Sequence, residues 1–150
     1  MPYLIDTNIF LRAAKRNDPA RQICLEALRL LAVRQENLYF TTQTLVEFWN
    51  VCTRPATARG GLGLSVPATE RKVRLIEGRF RFLPESVATH EEWRKLVTTY
   101  NVEGVQVHDT MLVAVMNIHS ITHLLTFNKT DFKCFAGISA LDPLDVIQSQ

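Results

Sequence analysis

Cysteine is scarce in this sequence and scattered where it occurs. Cys24, Cys52 and Cys134 are odd in number and form no CxxC pair. That excludes a disulfide framework and a zinc knuckle, and leaves buried free thiols in a reducing cytoplasm as the expectation. Long apolar runs are missing too. No stretch approaches the roughly 18 consecutive apolar residues of a membrane span. The N-terminus lacks the basic-then-apolar pattern of a secretion signal, so no membrane partner is expected. Charge of one sign is also in short supply. A net charge of +2 is too small to mark a nucleic-acid binder by itself. Ser65, Ser86, Ser120 and Ser139 have no nucleophile-elbow context, and the histidines have no metal spacing with cysteine. No internal repeat or low-complexity tract occurs.

What is present is a core. Hydrophobic residues make up 47% of 150 residues and charged residues 21%, which suits one domain over residues 1–150. The chain opens on the apolar run Tyr3-Leu4-Ile5, which passes directly into Asp6-Thr7-Asn8. A buried strand followed by helix-capping residue types is the natural reading, with a short helix from Ile9 to Lys15. Asp18-Pro19 predicts a helix start, and Cys24, Leu28 and Leu31 give it an apolar stripe to about Arg34. Leu38-Tyr39-Phe40 reads as a strand. Thr41 or Thr42 should cap the next helix, with Leu45, Trp49 and Cys52 as its core stripe and Glu47 off that stripe.

Residues 54–67 hold two prolines and three glycines without helical period, which predicts a mobile surface loop. Gly60-Gly61-Leu62-Gly63 lacks a Walker lysine and dinucleotide spacing. A helix is expected from Ala68 to Phe80, then a strand end at Phe82-Leu83-Pro84. Thr89 and Glu92 look like a capping box for a helix ending near Asn101. Val107-His108-Asp109 opens a strongly apolar helix, His123 to Thr126 is another strand, and Ile138 to Leu141 is the last. Strands alternating with helices predict an α/β fold with a short parallel sheet flanked by helices.

Four acidic residues sit where these elements meet. Asp6 ends the first strand, Glu47 lies in the first two turns of a helix that follows a strand, Asp109 starts the apolar helix, and Asp131 follows the strand ending at Thr126. In a parallel sheet such positions share one edge. Two carboxylates about 6 Å apart repel by roughly 2–3 kcal/mol at an effective dielectric near 20. A divalent cation removes that repulsion, and an all-oxygen set suits Mg²⁺ or Mn²⁺.

These motifs resemble the PIN-domain ribonucleases, and most closely the VapC-like toxins of type II toxin–antitoxin pairs. The marks are Leu4-Ile5-Asp6-Thr7-Asn8, Glu47 after Thr41-Thr42, His108-Asp109, and Thr126-Phe127-Asn128-Lys129-Thr130-Asp131-Phe132. The resemblance implies a Rossmann-like parallel sheet and divalent-metal-dependent hydrolysis of RNA phosphodiester bonds. It also implies an antitoxin protein as partner and a homodimer. It carries Asp6, Glu47 and Asp109 over as metal ligands, with Thr7 and Asn8 bracing them. Asn128 stands where an acidic residue is common in the family. Asp131 is the expected fourth catalytic and metal-binding residue, acting through water, with Asn128 and Thr126 in support. Arg54, Arg59, Arg71 and Lys72 are the expected RNA-binding rim, beside Arg74.

Two other classes compete. A haloacid-dehalogenase-type phosphotransferase also opens with a strand and an aspartate, but needs a second aspartate where Asn8 stands. A non-catalytic RNA-binding PIN domain would have no reason to retain Asp6, Glu47 and Asp109 together, whereas a non-toxin RNA-processing PIN domain would keep all three and is separated from a toxin by the presence of an antitoxin.

Overall fold

A computed structural model describes residues 1–149. Its centre is a five-stranded sheet of order β3-β2-β1-β4-β5. The strands are β1 (Pro2–Ile5), β2 (Asn37–Thr41), β3 (Arg81–Leu83), β4 (His123–Leu125) and β5 (Ser139–Leu141). Every neighbouring pair is parallel. All carboxyl ends therefore lie along one edge, and the α/β class and short parallel sheet are as expected.

Helices cover both faces. Leu4 and Leu124 point to one face, where they meet α5 (Val87–Thr99) and α6 (Gln106–Ile118) through Leu96 and the run Leu112–Met116. Ile5 and Leu125 point to the other. There they meet α1 (Thr7–Ala14), α2 (Arg21–Val33), α3 (Thr42–Thr53), α4 (Val66–Arg79) and α7 (Pro143–Gln148). The twofold alternation of strand side chains splits the apolar residues between two cores. Residues 112–116 are all buried, which is why the apolar helix is hydrophobic on most sides.

Local chemistry sets the helix starts. Thr41 caps α3 in a capping box with Thr44, and Ser65 caps α4 with Pro67 in its first turn. α5 begins three residues earlier than Thr89 suggested, because Ser86 is the cap and Thr89 closes its box. Glu92 instead accepts a hydrogen bond from Asn117 on α6. Asp18 holds a turn through the Ala20 N–H, and α2 starts only at Arg21, without a side-chain cap.

Three further expectations are corrected. The buried stripe of α3 is Thr44, Phe48 and Cys52, with Leu45 and Trp49 only half-buried. The capping box draws Thr44 inward and rotates the stripe by one residue. The segment between α3 and α4 is tied down rather than loose. Leu62 and Leu64 donate to the Val51 and Cys52 carbonyls, Gly63 donates to the Arg54 carbonyl at 2.8 Å, and both leucines pack on the core. Gly61 lies so close to Pro55 and Arg54 that a Cβ would meet the Pro55 carbonyl oxygen at 2.2 Å. Among the cysteines, Cys24 and Cys52 are buried but Cys134 is exposed. Burial pushes the two buried thiols up to about 11, which keeps them protonated and unreactive. Among the described residues no helix is long and apolar enough to cross a membrane.

The rotated stripe is testable. Phe48 is 1% exposed, so Phe48→Ala should lower unfolding free energy by about 3–5 kcal/mol in thermal or denaturant melts. Leu45→Ala should cost less. The reverse ranking would return the stripe to Leu45 and Trp49.

Candidate active site

β1 delivers Asp6 to the carboxyl edge of the sheet, and its carboxylate has two tasks there. It is the N-cap of α1, with Oδ1 accepting the Thr7 N–H at 2.8 Å. Its Oδ2 accepts the Thr126 hydroxyl at 2.8 Å, from just beyond β4. The Asn8 amide lies 3.5 Å from the same oxygen. Asp6 is only 7% exposed and Thr126 is fully buried. Burial raises the Asp6 carboxyl above the usual carboxylate range, against the Thr126 and Thr7 hydrogen bonds, while the charges of Glu47 and Asp131 raise it further.

Glu47 joins from α3. Its Oε2 accepts the Thr7 hydroxyl at 2.9 Å, and its Oε1 accepts the Gln43 amide at 3.0 Å. Gln43 also donates to the His108 carbonyl, which links α3 to the first turn of α6. Asp109 stands in that first turn, half-buried. Its carboxyl is pushed up to about 6, first by burial and then by the charges of Asp6, Asp131 and Glu47, with His108 opposing. Asp131 sits in a short 3-10 turn, Lys129–Phe132, that follows β4. Phe132 is buried and anchors that turn, and Gln106 donates to the Asp131 carbonyl at 3.2 Å.

The turn is also fastened from outside. The Lys129 ammonium pairs with Asp145 at 2.7 Å and Asp142 at 3.0 Å, the two members of the α7 capping box. Nearer the sheet, the Asn128 N–H donates to the Thr126 hydroxyl oxygen at 3.0 Å, so the hydroxyl's own proton is aimed at Asp6. Asn8 Oδ1 accepts the Phe127 N–H at 3.4 Å.

The sheet edge therefore brings Asp6, Glu47, Asp109 and Asp131 within one electrostatic neighbourhood, with Thr7, Asn8 and Thr126 between them. Among the described residues, no three acidic, histidine or cysteine side chains are gathered closely enough to hold an ion as they stand. The donor chemistry still fits a hard divalent cation. It is all oxygen, it is rich in negative charge, and Asp6 and Glu47 are already oriented by hydrogen bonds. Among the described residues, none of Arg54, Arg59, Arg71 and Lys72 forms an ion pair with these carboxylates. Arg54 folds back onto the Arg59 carbonyl at 2.9 Å. Lys72 lines a groove with Ala13 and Ala14, at the end of α1 opposite Asp6. Arg71 is exposed on the same helix as Lys72. The sequence pattern puts Gln43 on the helix face of Glu47, four residues earlier, but gives it no role; Gln106 carries no mark in the sequence, because it meets a carbonyl 25 residues away.

The sequence profile of the PIN domain matches residues 3–137. The chain belongs to the PIN-domain family. Solved structures share this PIN fold across nearly the whole chain. VapBC2 from Rickettsia felis, bound to a DNA fragment from its promoter, is 16% identical with a TM-score of 0.70, covering 95% of this chain and 98% of that one. A toxin–antitoxin complex from Klebsiella pneumoniae is 20% identical with a TM-score of 0.66, covering 94% and 97%. VapC20 from Mycobacterium tuberculosis, a sarcin–ricin-loop-cleaving toxin, is 17% identical with a TM-score of 0.64, covering 91% and 98%. At these identities the likeness is one of fold. No curated protein sequence matches the chain.

The raised Asp109 gives a pH dependence. Its ordinary value is 3.8 and its folded value about 6. Between these the folded protein binds more protons than the unfolded chain, so this group's contribution to stability falls as pH rises through that window and levels off above it. Metal-free protein should lose melting temperature from about pH 4 to pH 6.5 relative to Asp109→Asn. Parallel profiles for the two proteins would remove Asp109 from the cluster. Thr126→Val should keep the fold but weaken the affinity of this edge for a divalent cation about 10- to 100-fold, because it strips a hydrogen bond from the buried Asp6 carboxylate. Unchanged affinity in a metal titration would make that hydroxyl purely structural.

Proposed function

We propose that this PIN domain is a divalent-metal-dependent endoribonuclease and the toxin of a toxin–antitoxin pair. One observation carries the reading. Four carboxylates from four separate elements converge on the carboxyl edge, and their mutual charge with burial pushes Asp109 to about 6. Such an arrangement lowers stability and does nothing for the core. Its chemistry matches a site that takes up Mg²⁺ or Mn²⁺. Asp6 and Asp109 would hold the ion, with Glu47 and Asp131 completing the set. A bound ion of this kind lowers the pKa of an attacking water and neutralises charge developing on the phosphate.

The chain's own groups do the rest. Thr126, Asn8 and the Thr7 N–H hold the Asp6 carboxylate at one angle. Thr7 and Gln43 hold both oxygens of Glu47. The Asn128 N–H fixes the Thr126 hydroxyl. A phosphodiester drawn to this edge needs no protein nucleophile, and none of the serines lies in this cluster.

Relatives of the same fold include toxin–antitoxin complexes, which supports an antitoxin that crosses the acidic edge near residues 54–67. A basic antitoxin side chain among the carboxylates would occupy the ion's electrostatic place. A homodimer is supported by an apolar groove of Phe40, Leu45, Trp49, Val73 and Phe80, bordered by Phe82, which is 51% exposed. A cytoplasmic location suits the exposed free thiol of Cys134.

Purified protein should cleave cellular RNA with Mg²⁺ or Mn²⁺ and stop on chelation. Asp6→Asn and Asp109→Asn should fold and lose cleavage. Wild-type rates in either variant would end the metal-site reading. The charge of Asp131 acts on both Asp6 and Asp109, whereas Asn128 takes part through its backbone. Asp131→Asn should therefore weaken metal affinity several-fold and Asn128→Ala less. The opposite order would make Asn128 the fourth ligand.

A further inference from the structure

One cation on α1 stands a helical turn from the residues that brace Asp6. Arg12 follows Asn8 by four residues on α1, so the two share a helix face. Its guanidinium lies over the Phe127 ring, 4.5 Å from the centroid. Phe127 sits between Thr126 and Asn128, and its N–H is bound by Asn8 Oδ1. Its backbone is thus tied to Asn8 and Thr126, two of the residues that hold Asp6. Arg12 is exposed, and among the described residues its guanidinium has no ion pair and no hydrogen-bond partner.

Arg12 stands one helical turn beyond Asn8, and its guanidinium lies over an aromatic ring and pairs with no carboxylate among the described residues. Such stacking fixes the plane of the guanidinium and leaves its N–H fork uncommitted. The fork matches phosphate oxygens geometrically, and a fixed fork loses little entropy on binding them. An RNA strand approaching the acidic edge meets repulsion there until an ion is bound. A positive contact within a Debye length of the carboxylates offsets that repulsion without neutralising the ligands.

We propose that Arg12, held on Phe127, grips a backbone phosphate of the RNA strand next to the one delivered to the carboxylates. The assignment rests on the nuclease reading and deepens it. Arg12 acts in strand binding and not in the bond-breaking step. It supplies near the site the contact expected of Arg54, Arg59, Arg71 and Lys72.

The test is RNA binding by fluorescence anisotropy, using a labelled single-stranded RNA with Mg²⁺ and a cleavage-deficient Asp6→Asn background. Arg12→Gln should weaken binding roughly tenfold, the scale of a lost charge-assisted hydrogen bond. It should also reduce the slope of log affinity against log salt by roughly 0.7, the single-strand value for one phosphate contact. Arg12→Lys should keep the slope and recover only part of the affinity, since an ammonium has no planar fork. Phe127→Leu should weaken binding without changing the slope, because it frees the arginine and leaves its charge. In the otherwise wild-type enzyme, Arg12→Gln should raise KM and leave kcat nearly unchanged. Equal affinity and slope with and without Arg12 would overturn the assignment and leave the nuclease reading standing. A lowered melting temperature with an unchanged salt slope would also overturn it, by making Arg12 a packing residue. A protein that binds no RNA in any form would overturn both readings.

Discussion

Taking a carboxylate out of water is unfavourable by several kcal/mol unless hydrogen bonds replace the lost hydration, and Asp6 is almost wholly out of it. Its replacement partners come from two places, the start of α1 and the residue after β4. They meet only because β1 and β4 pair in parallel with Ile5 opposite Leu125. A slip of one residue would turn Thr126 to the other face of the sheet and strand the carboxylate. Register, cap and buried charge are thus one constraint. Glu47 then attaches through Thr7, and Gln43 ties Glu47 to α6.

The three-layer arrangement explains why polar residues collect at this edge. Both faces of the sheet are covered by helices and filled by apolar side chains. At the carboxyl edge the strands end and helices begin, so backbone N–H groups and short polar side chains are available. The capping reading of Asp6 and the functional reading turn out to be compatible. One oxygen caps α1, and the other belongs to the cluster.

Much of this was legible because it rests on local signals. Strand–Asp–Thr–Asn, the apolar run 111–118 and the β-like His123–Thr126 each carry their meaning within a few residues, and parallel topology then brings the four carboxylates to one edge. What escaped depends on contacts across the chain. Thr44 stood outside the expected stripe of Leu45, Trp49 and Cys52 because its burial depends on the capping box with Thr41. The glycine-rich segment looked loose because its anchors are backbone bonds to α3, which composition does not record. Cys134 was assigned to the core by residue type, but it follows a turn whose one anchor there is Phe132. The helix α7 went unseen although Asp142-Pro143 is a cap followed by a first-turn proline, the pattern read at Asp18-Pro19. At Asp18 the same pair made only a turn.

The Lys129 bridge to Asp142 and Asp145 has a mechanical side. α7 contributes none of the four carboxylates, yet its first turn holds the lysine two residues from Asp131. Arg34 at the end of α2 holds the far end of the same helix through the carbonyls of Val146 and Ser149. The last helix is therefore a strut between α2 and the turn at the sheet edge. Strain applied to it, by a fused segment or a bound protein, would reach the turn that carries Asp131 through the Lys129 ammonium. High salt would slacken the same strut, because the lysine and both aspartates are partly open to solvent.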